Sequence, residues 1–299
     1  MEIAEESVTK LFSVIFLLLL YLMDNNLPLF VVNQLVTILY LATTFLYGAH
    51  FFMDMAIARQ FKQPALITTV IVHVFYLGFL TSTQGYQLSY STLNLMTMVG
   101  FTLTSIYLLT EFTTKSDKSG FFIISFAAGA QLLSSLLITQ VEQSSQTFSG
   151  LSSGLHLLMA IFSFSSIAIA GIYSLLYLLL FRQIQQNRFE LFFQRLPNLE
   201  VLEMLCMHAV SLGFLFISLT LLSGLWAQSN TNVAIAVMEP KFITMAVIWL
   251  IYGAGMFIKP FKGWDMKHMA YLLIFLFLFV TLLIVLMTLS SPTFHSRLL

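Results

Sequence analysis

Apolar residues in this chain come in long runs. From Leu29 onward, segments of about 18 to 28 residues are separated by short polar loops, which is the patterning of membrane helices and not of a barrel. The runs predict eight spanning helices, at 29–53, 65–83, 91–110, 120–139, 154–181, 202–227, 242–258 and 269–289. An apolar run at 11–23 follows Glu2, Glu5, Glu6 and Lys10 and is closed by Asp24, Asn25 and Asn26. At 13 residues it is short for a span, its flank is net negative and no small-residue cleavage site follows. Three readings stay open for it: a thin extra span, a helix in the interface, or an extension upstream of a start near Met23. The fold class is therefore all-α, a polytopic eight-helix membrane bundle with a short apolar N-terminal segment. The expected division is an N-terminal extension over 1–27, one transmembrane domain over 28–290 and a tail over 291–299.

Composition agrees, with 59% hydrophobic and only 9% charged residues where a soluble domain is about a quarter charged. Net charge is zero and no basic cluster extends beyond short loops, so a nucleic-acid partner is excluded. The lone Cys206 cannot form an internal disulfide, and without a Cys-x-x-Cys pair there is neither a thiol redox couple nor a covalent haem-attachment site. Phosphate-cradling Gly-rich loops and a His-Glu-x-x-His pair are missing too.

Charge placement sets the expected orientation. Arg59 and Lys62, Lys115 and Lys118, Arg182, Arg188 and Arg195, and Lys259, Lys262 and Lys267 fall in the first, third, fifth and seventh loops. The second and fourth loops carry none and the sixth only Lys241 at a helix edge. By the positive-inside rule the odd loops are cytoplasmic and the C-terminus lies outside. In a bacterium this means a multi-pass protein of the cytoplasmic (inner) membrane.

Ionisable residues inside spans are the next signal, because a histidine in the bilayer costs free energy unless it pairs, faces a cavity or binds something. Of six histidines, His268 and His295 fall in a loop and the tail, and His50 lies one turn from Asp54, as an ion-pair residue would. His73 and His208 sit six to eight residues past the starts of two spans of the same direction, so both are expected about 9 to 12 Å into the hydrocarbon, level with one another. Two imidazoles at one depth can take opposite faces of an iron porphyrin. The plainer alternative is that each hydrogen-bonds a neighbouring helix and does nothing more. His156 begins the fifth span on the outer side, roughly half a membrane away, where it contacts an outer-face ligand or simply sits at the interface. A zinc site needs its ligands within a few ångströms, so no metal site joins all three. Glu203, the acid nearest His208, lies a turn or more below it, too far to orient it as a catalytic triad requires.

The stretch Gly154-Leu-His156, then Phe162-Ser-Phe, Ile169-Ala-Gly-Ile-Tyr173, His208, Gly213 and Leu222-Ser-Gly-Leu-Trp226 resembles the cytochrome c assembly protein family, specifically its HemX/YpjD-like branch, relatives of the CcsA-type haem-handling proteins. Glu239-Pro-Lys241, Trp249-Leu-Ile-Tyr252 and Gly263-Trp264 follow in the family's order, and His73 and Asn94-Leu95 fit earlier. The resemblance implies an eight-helix fold that holds haem in the bilayer and presents it to apocytochrome c. It places His73 and His208 at the membrane-ligand positions and His156 at the first external histidine. The chain departs from the pattern in the sixth loop: no Trp-rich segment precedes Glu239-Pro-Lys241, and Met238 and Glu239 stand where the family has Trp and Asp. Phe257 occupies the position of the second external histidine. The expectation is thus an accessory haem-handling factor of cytochrome c biogenesis, with haem as cofactor, working in the lipid bilayer without bond-making chemistry of its own. A regulator of haem synthesis acting through helix contacts and a small-molecule or ion permease are the alternatives. Bound haem separates the first from both, and proton-coupled flux picks out the last.

Overall fold

The computed structural model describes residues 27–84, 92–137, 151–229, 240–262 and 265–289, and every regular element among them is helical. In chain order these are α1 (Leu27–Met53), α2 (Ala56–Gln84), α3 (Thr92–Thr114), α4 (Gly120–Leu137), α5 (Leu151–Gln185), the short α6 (Leu191–Arg195), α7 (Leu199–Ser229), α8 (Pro240–Lys262) and α9 (Met266–Leu289). Six of them, α1, α2, α3, α5, α7 and α9, are long and apolar enough to cross a membrane. The apolar parts of α4 and α8 are shorter, Gly120–Leu136 and Phe242–Phe257, so where eight spans are expected the described residues show six helices of spanning length and two shorter apolar ones. The N-terminal apolar run, the second, fourth and sixth loops, Gly263-Trp264 and the tail lie outside the described residues.

Helices exceed the apolar runs because the hydrogen-bonded ladder continues into polar sequence. The clearest case is α2, which begins at Ala56, nine residues before the predicted start, and carries Pro64 inside it. Proline and nearby charges argue for a loop in sequence, but membrane helices tolerate proline where neighbours satisfy the freed carbonyl. Lys62 is buried against Asp117 instead of reaching into solvent. Three helices stop where one residue enters the left-handed region: Asp54 after α1 at φ 53°, Lys115 after α3 at φ 53° and Asn187 after α5 at φ 52°. At Asn187 the capping bonds are those of a Schellman motif, with Asn187 N–H donating to the Ile184 carbonyl and Arg188 N–H to that of Gln183.

Packing divides the chain into two groups. Helices α1 to α4 pack as an antiparallel set, while α5 and α7 share the most extensive contact, with α9 against α5 and α8 against α7; α3 against α5 joins the groups. Small residues permit the close approaches: a Cβ on Gly171 would lie 2.7 Å from Phe277, and one on Gly213 2.7 Å from Tyr252. On α1 the exposed positions Val31, Leu35, Ile38 and Phe45 follow helical spacing and face away from the bundle, as a lipid-facing stripe does.

All the helix ends bearing Asp54, Arg59, Lys62, Asp117 and Arg195 meet at one end of the bundle, which we call the basic end. Asp54 accepts from Arg59 at 2.6 Å and faces Arg195 at 3.3 Å and His50 at 3.7 Å. Asp117 is held by Lys62 and lies 3.3 Å from His50. The Arg59 hydrogen bond, helped by Arg195, holds the Asp54 carboxyl below the ordinary range. Burial pushes Asp117 up, but the bound Lys62 ammonium outweighs it and leaves that carboxyl lowered as well. His50 stands between the two carboxylates, close to Asp54 as expected but with no hydrogen bond from its Nδ1 among the described residues, and the Asp54 and Asp117 ion pairs tie α1, α2, the α3–α4 turn and α6.

Candidate functional site

His73 sits in the interior of the α1–α4 group, fully buried. Its Nδ1 lies 2.9 Å from the Tyr40 hydroxyl and its Nε2 3.0 Å from Thr97 Oγ1. The direction of these bonds can be worked out from the far end. Thr97 donates its one hydroxyl proton to Gln131 Oε1 at 2.6 Å, so toward His73 it can only accept. His73 therefore carries its proton on Nε2, and its Nδ1 lone pair accepts from Tyr40. Gln131 passes the polarity on, its Nε2 donating to Asn33 Oδ1 at 3.0 Å and Thr37 Oγ1 at 3.2 Å. Thr37 in turn donates to the Asn33 carbonyl at 2.9 Å. The result is a one-way relay, Tyr40 to His73 to Thr97 to Gln131 to Asn33, through four helices. Tyr40, Tyr76 and Phe101 crowd the imidazole, with ring centroids 5.3 to 5.8 Å away.

His156 is arranged differently. It is half-buried on α5, with Nδ1 3.0 Å from the carbonyl of Thr220 on α7. A carbonyl only accepts, so the proton is on Nδ1, and among the described residues no hydrogen bond takes the Nε2 lone pair. Gly224 makes room for the ring, since a Cβ there would stand 3.0 Å from Cε1. The carbonyl is available to the histidine although it also belongs to a helix, because a carbonyl oxygen has two lone pairs and the Ser223 hydroxyl, 3.1 Å away, donates more closely to Leu219 at 2.6 Å. Below the ring, Phe162 of α5 stacks on Phe216 of α7 at 5.0 Å, and Trp249 of α8 donates to Ser218 at 2.7 Å while stacking on Phe214.

His208 is exposed on α7, in the outward stripe with Met204, Leu215, Leu219, Leu222 and Trp226, and no hydrogen bond among the described residues holds its ring.

Depth can be compared along the helices. Thr102 of α3 meets Ser165 of α5 at 2.5 Å, and Ser166 lies against Gly213 of α7, which sets one common level. Thr97, and His73 with it, lies five residues to one side of that level. His208 lies five residues to the other side, toward the basic end. At 1.5 Å per residue the two are roughly 15 Å apart in depth. Their helices, α2 and α7, share no substantial packing surface. The expectation that they are level is corrected: it measured His73 from Ala65, whereas α2 starts at Ala56 and puts His73 mid-helix. His156, expected half a membrane from both, is on the same side as His73 and within about one helical turn of its depth.

The polar partners of His73 went unnoticed in sequence, although a signal existed. Asn33, Thr37, Tyr40, Thr44 and Tyr47 recur at four- and three-residue steps down one face of α1, a polar stripe inside an apolar run. Glu111 likewise is buried in α3 and accepts from Tyr47 at 2.6 Å. Among the described residues no cluster of three or more His, Cys, Asp or Glu side chains is arranged to hold a bare metal ion.

The profile of the family described as Cytochrome C assembly protein matches residues 3–295 of this chain, nearly its whole length. No curated protein and no solved structure matches it.

Proposed function

Because the chain belongs to the cytochrome c assembly protein family, we propose that it handles haem within the bilayer for cytochrome c biogenesis, as an accessory factor holding haem on its way to apocytochrome c. The reading extends to its placement: the basic end faces the cytoplasm, and the Thr220 end of α7 faces outward.

The observation that carries the reading is the hydrogen bond of His156. An imidazole that ligates a metal almost always donates its other N–H to a carbonyl or carboxylate, which fixes the tautomer and the plane of the ring. His156 has that second partner in the Thr220 carbonyl, a half-exposed edge and an Nε2 without a hydrogen bond among the described residues, and so would fit a residue that holds haem. Haem would be held through that nitrogen and would supply the iron porphyrin to be passed on. Helix α7 orients the ring, and Gly224 leaves space for it.

His208 and His73 take different parts in this proposal. His208, exposed to the bilayer and unbraced, is free to take haem from the lipid side. The roughly 15 Å difference in depth argues against His73 and His208 sharing one iron. As arranged here His73 does not fit an iron ligand, because its only lone pair is taken by Tyr40 and rings crowd it. It would ligate only after the Tyr40 hydroxyl withdraws.

The test is purification from haem-replete cells of wild type and the His156→Ala, His208→Ala and His73→Ala variants, followed by visible absorption. Wild type should retain haem, His156→Ala should lose most of it, and His208→Ala should load less. His73→Ala should keep its haem spectrum per folded molecule. Equal haem content in wild type and His156→Ala would remove the site from His156, and a wild type that never retains haem would overturn the function.

A further inference from the structure

The connection between α5 and α7 is a built platform. The apolar spans of α5 and α7 end and begin at Gln185 and Leu199, so α6 lies where both helices leave the bilayer. One face of α6 is fixed inward. Phe192 packs on Phe51 and Phe122 with ring centroids 6.1 and 6.2 Å away, Leu196 is buried, and Arg195 reaches Asp54. That anchoring decides which residues point away. Phe189 is 59% exposed and Phe193 38%, with their rings edge to face at 4.8 Å. The pair is braced from behind: Phe193 N–H donates to Gln183 Oε1 at 2.9 Å, and Gln194 Nε2 donates to the Phe189 carbonyl at 3.1 Å. Exposed aromatics on a braced segment keep their shape before anything binds, which lowers the ordering cost of binding.

The charge around the pair is cationic. Arg182 and Arg188 are exposed, and among the described residues neither is engaged by a carboxylate. Arg195 is already neutralised by Asp54, and Glu190 is the one acid between Arg182 and Arg195. Two exposed apolar rings and two exposed guanidinium groups on one connection, at the level where spans end, match a phospholipid interface: rings enter the boundary below the headgroups, and guanidinium forks take phosphate oxygens.

We propose that Phe189 and Phe193, with Arg182 and Arg188, form a docking surface for anionic phospholipid headgroups, which holds the α5–α7 connection against the membrane. Through Arg195 and Phe192 this contact is continuous with the ion-pair lattice of α1 and α2. The proposal is independent of the haem reading, since none of its residues lies near His156.

The test uses the full chain purified in mild detergent and native mass spectrometry with added phosphatidylglycerol or phosphatidylcholine. Wild type should retain phosphatidylglycerol in preference to phosphatidylcholine. An Arg near an anionic surface contributes about a factor of five, so Arg182→Gln with Arg188→Gln should weaken phosphatidylglycerol retention about thirtyfold. Phe189→Ala with Phe193→Ala should weaken retention of both lipids. All four side chains are exposed, so these variants keep the fold. Unchanged phosphatidylglycerol retention in the arginine variant, or a wild type that does not distinguish the two lipids, would overturn the proposal; the latter is the result expected if a protein partner covers the patch.

Discussion

Replacing Gln131 with leucine would cut the polar relay at its branch point without changing side-chain bulk much. Three bonds disappear: the one accepted from Thr97 at 2.6 Å and the two donated to Asn33 and Thr37 at 3.0 and 3.2 Å. In a membrane interior each is worth about 0.6 kcal/mol on average, so the loss is roughly 2 kcal/mol. Hydrophobic gain offsets little of this, because lipid is as apolar as leucine. The assay is unfolding of the purified protein by titration with a denaturing detergent, comparing Gln131→Leu and Gln131→Asn with wild type. A second readout is more specific. Only the Thr97–Gln131 bond forces Thr97 to accept from His73, so imidazole 15N shifts should place the His73 proton on Nε2 in wild type. In Gln131→Leu that constraint is gone, Thr97 can donate to the ring, and the tautomer population should shift. A stability change below about 0.5 kcal/mol would refute the energetic argument, and a wild-type proton on Nδ1 would refute the relay's direction.

Gly120→Ala should destabilise strongly, because a Cβ there collides with the Tyr107 hydroxyl and the Tyr47 ring at a packed α1–α3–α4 junction; a loss of about 1 to 3 kcal/mol in the same titration checks it. Lys115 occupies the left-handed region without being glycine, so Lys115→Gly should stabilise by up to about 1 kcal/mol. The carboxyls of Asp54 and Asp117 are lowered in the folded protein, so their contribution is complete above the unfolded value of about 4 and is lost as pH falls through it toward the folded values. The difference in thermal midpoint between wild type and Asp54→Asn with Asp117→Asn should be level from pH 7 to 5 and shrink below about pH 4; a difference that does not change with pH would contradict the lattice.

What could be read from sequence divides along physical lines. The helices were legible because burial in lipid demands long apolar runs, and each predicted span from 29–53 to 269–289 has a helix over it. Helix starts were less legible: charge and Pro64 read as loop, yet Lys62 is buried against an acid 55 residues away that a single chain does not announce. That error carried into the depth of His73. His50 was legible because Asp54 is one turn on, whereas His73 is satisfied by Tyr40 and Thr97 on two other helices, a coincidence of packing. The carbonyl that orients His156 is invisible in sequence for a deeper reason, since every residue has one and only the α5–α7 contact selects Thr220.

If Nε2 of His156 holds haem iron, free imidazole should replace the side chain once it is removed. His156→Gly removes the ligand and leaves a space one imidazole wide beside Gly224. Purified with haem, this variant should lack the wild-type absorption bands and regain them on titration with imidazole, while His73→Gly under the same titration should show no such recovery. Wild-type bands in His156→Gly without imidazole, or no response to imidazole at any concentration the protein tolerates, would mean that His156 does not hold the iron.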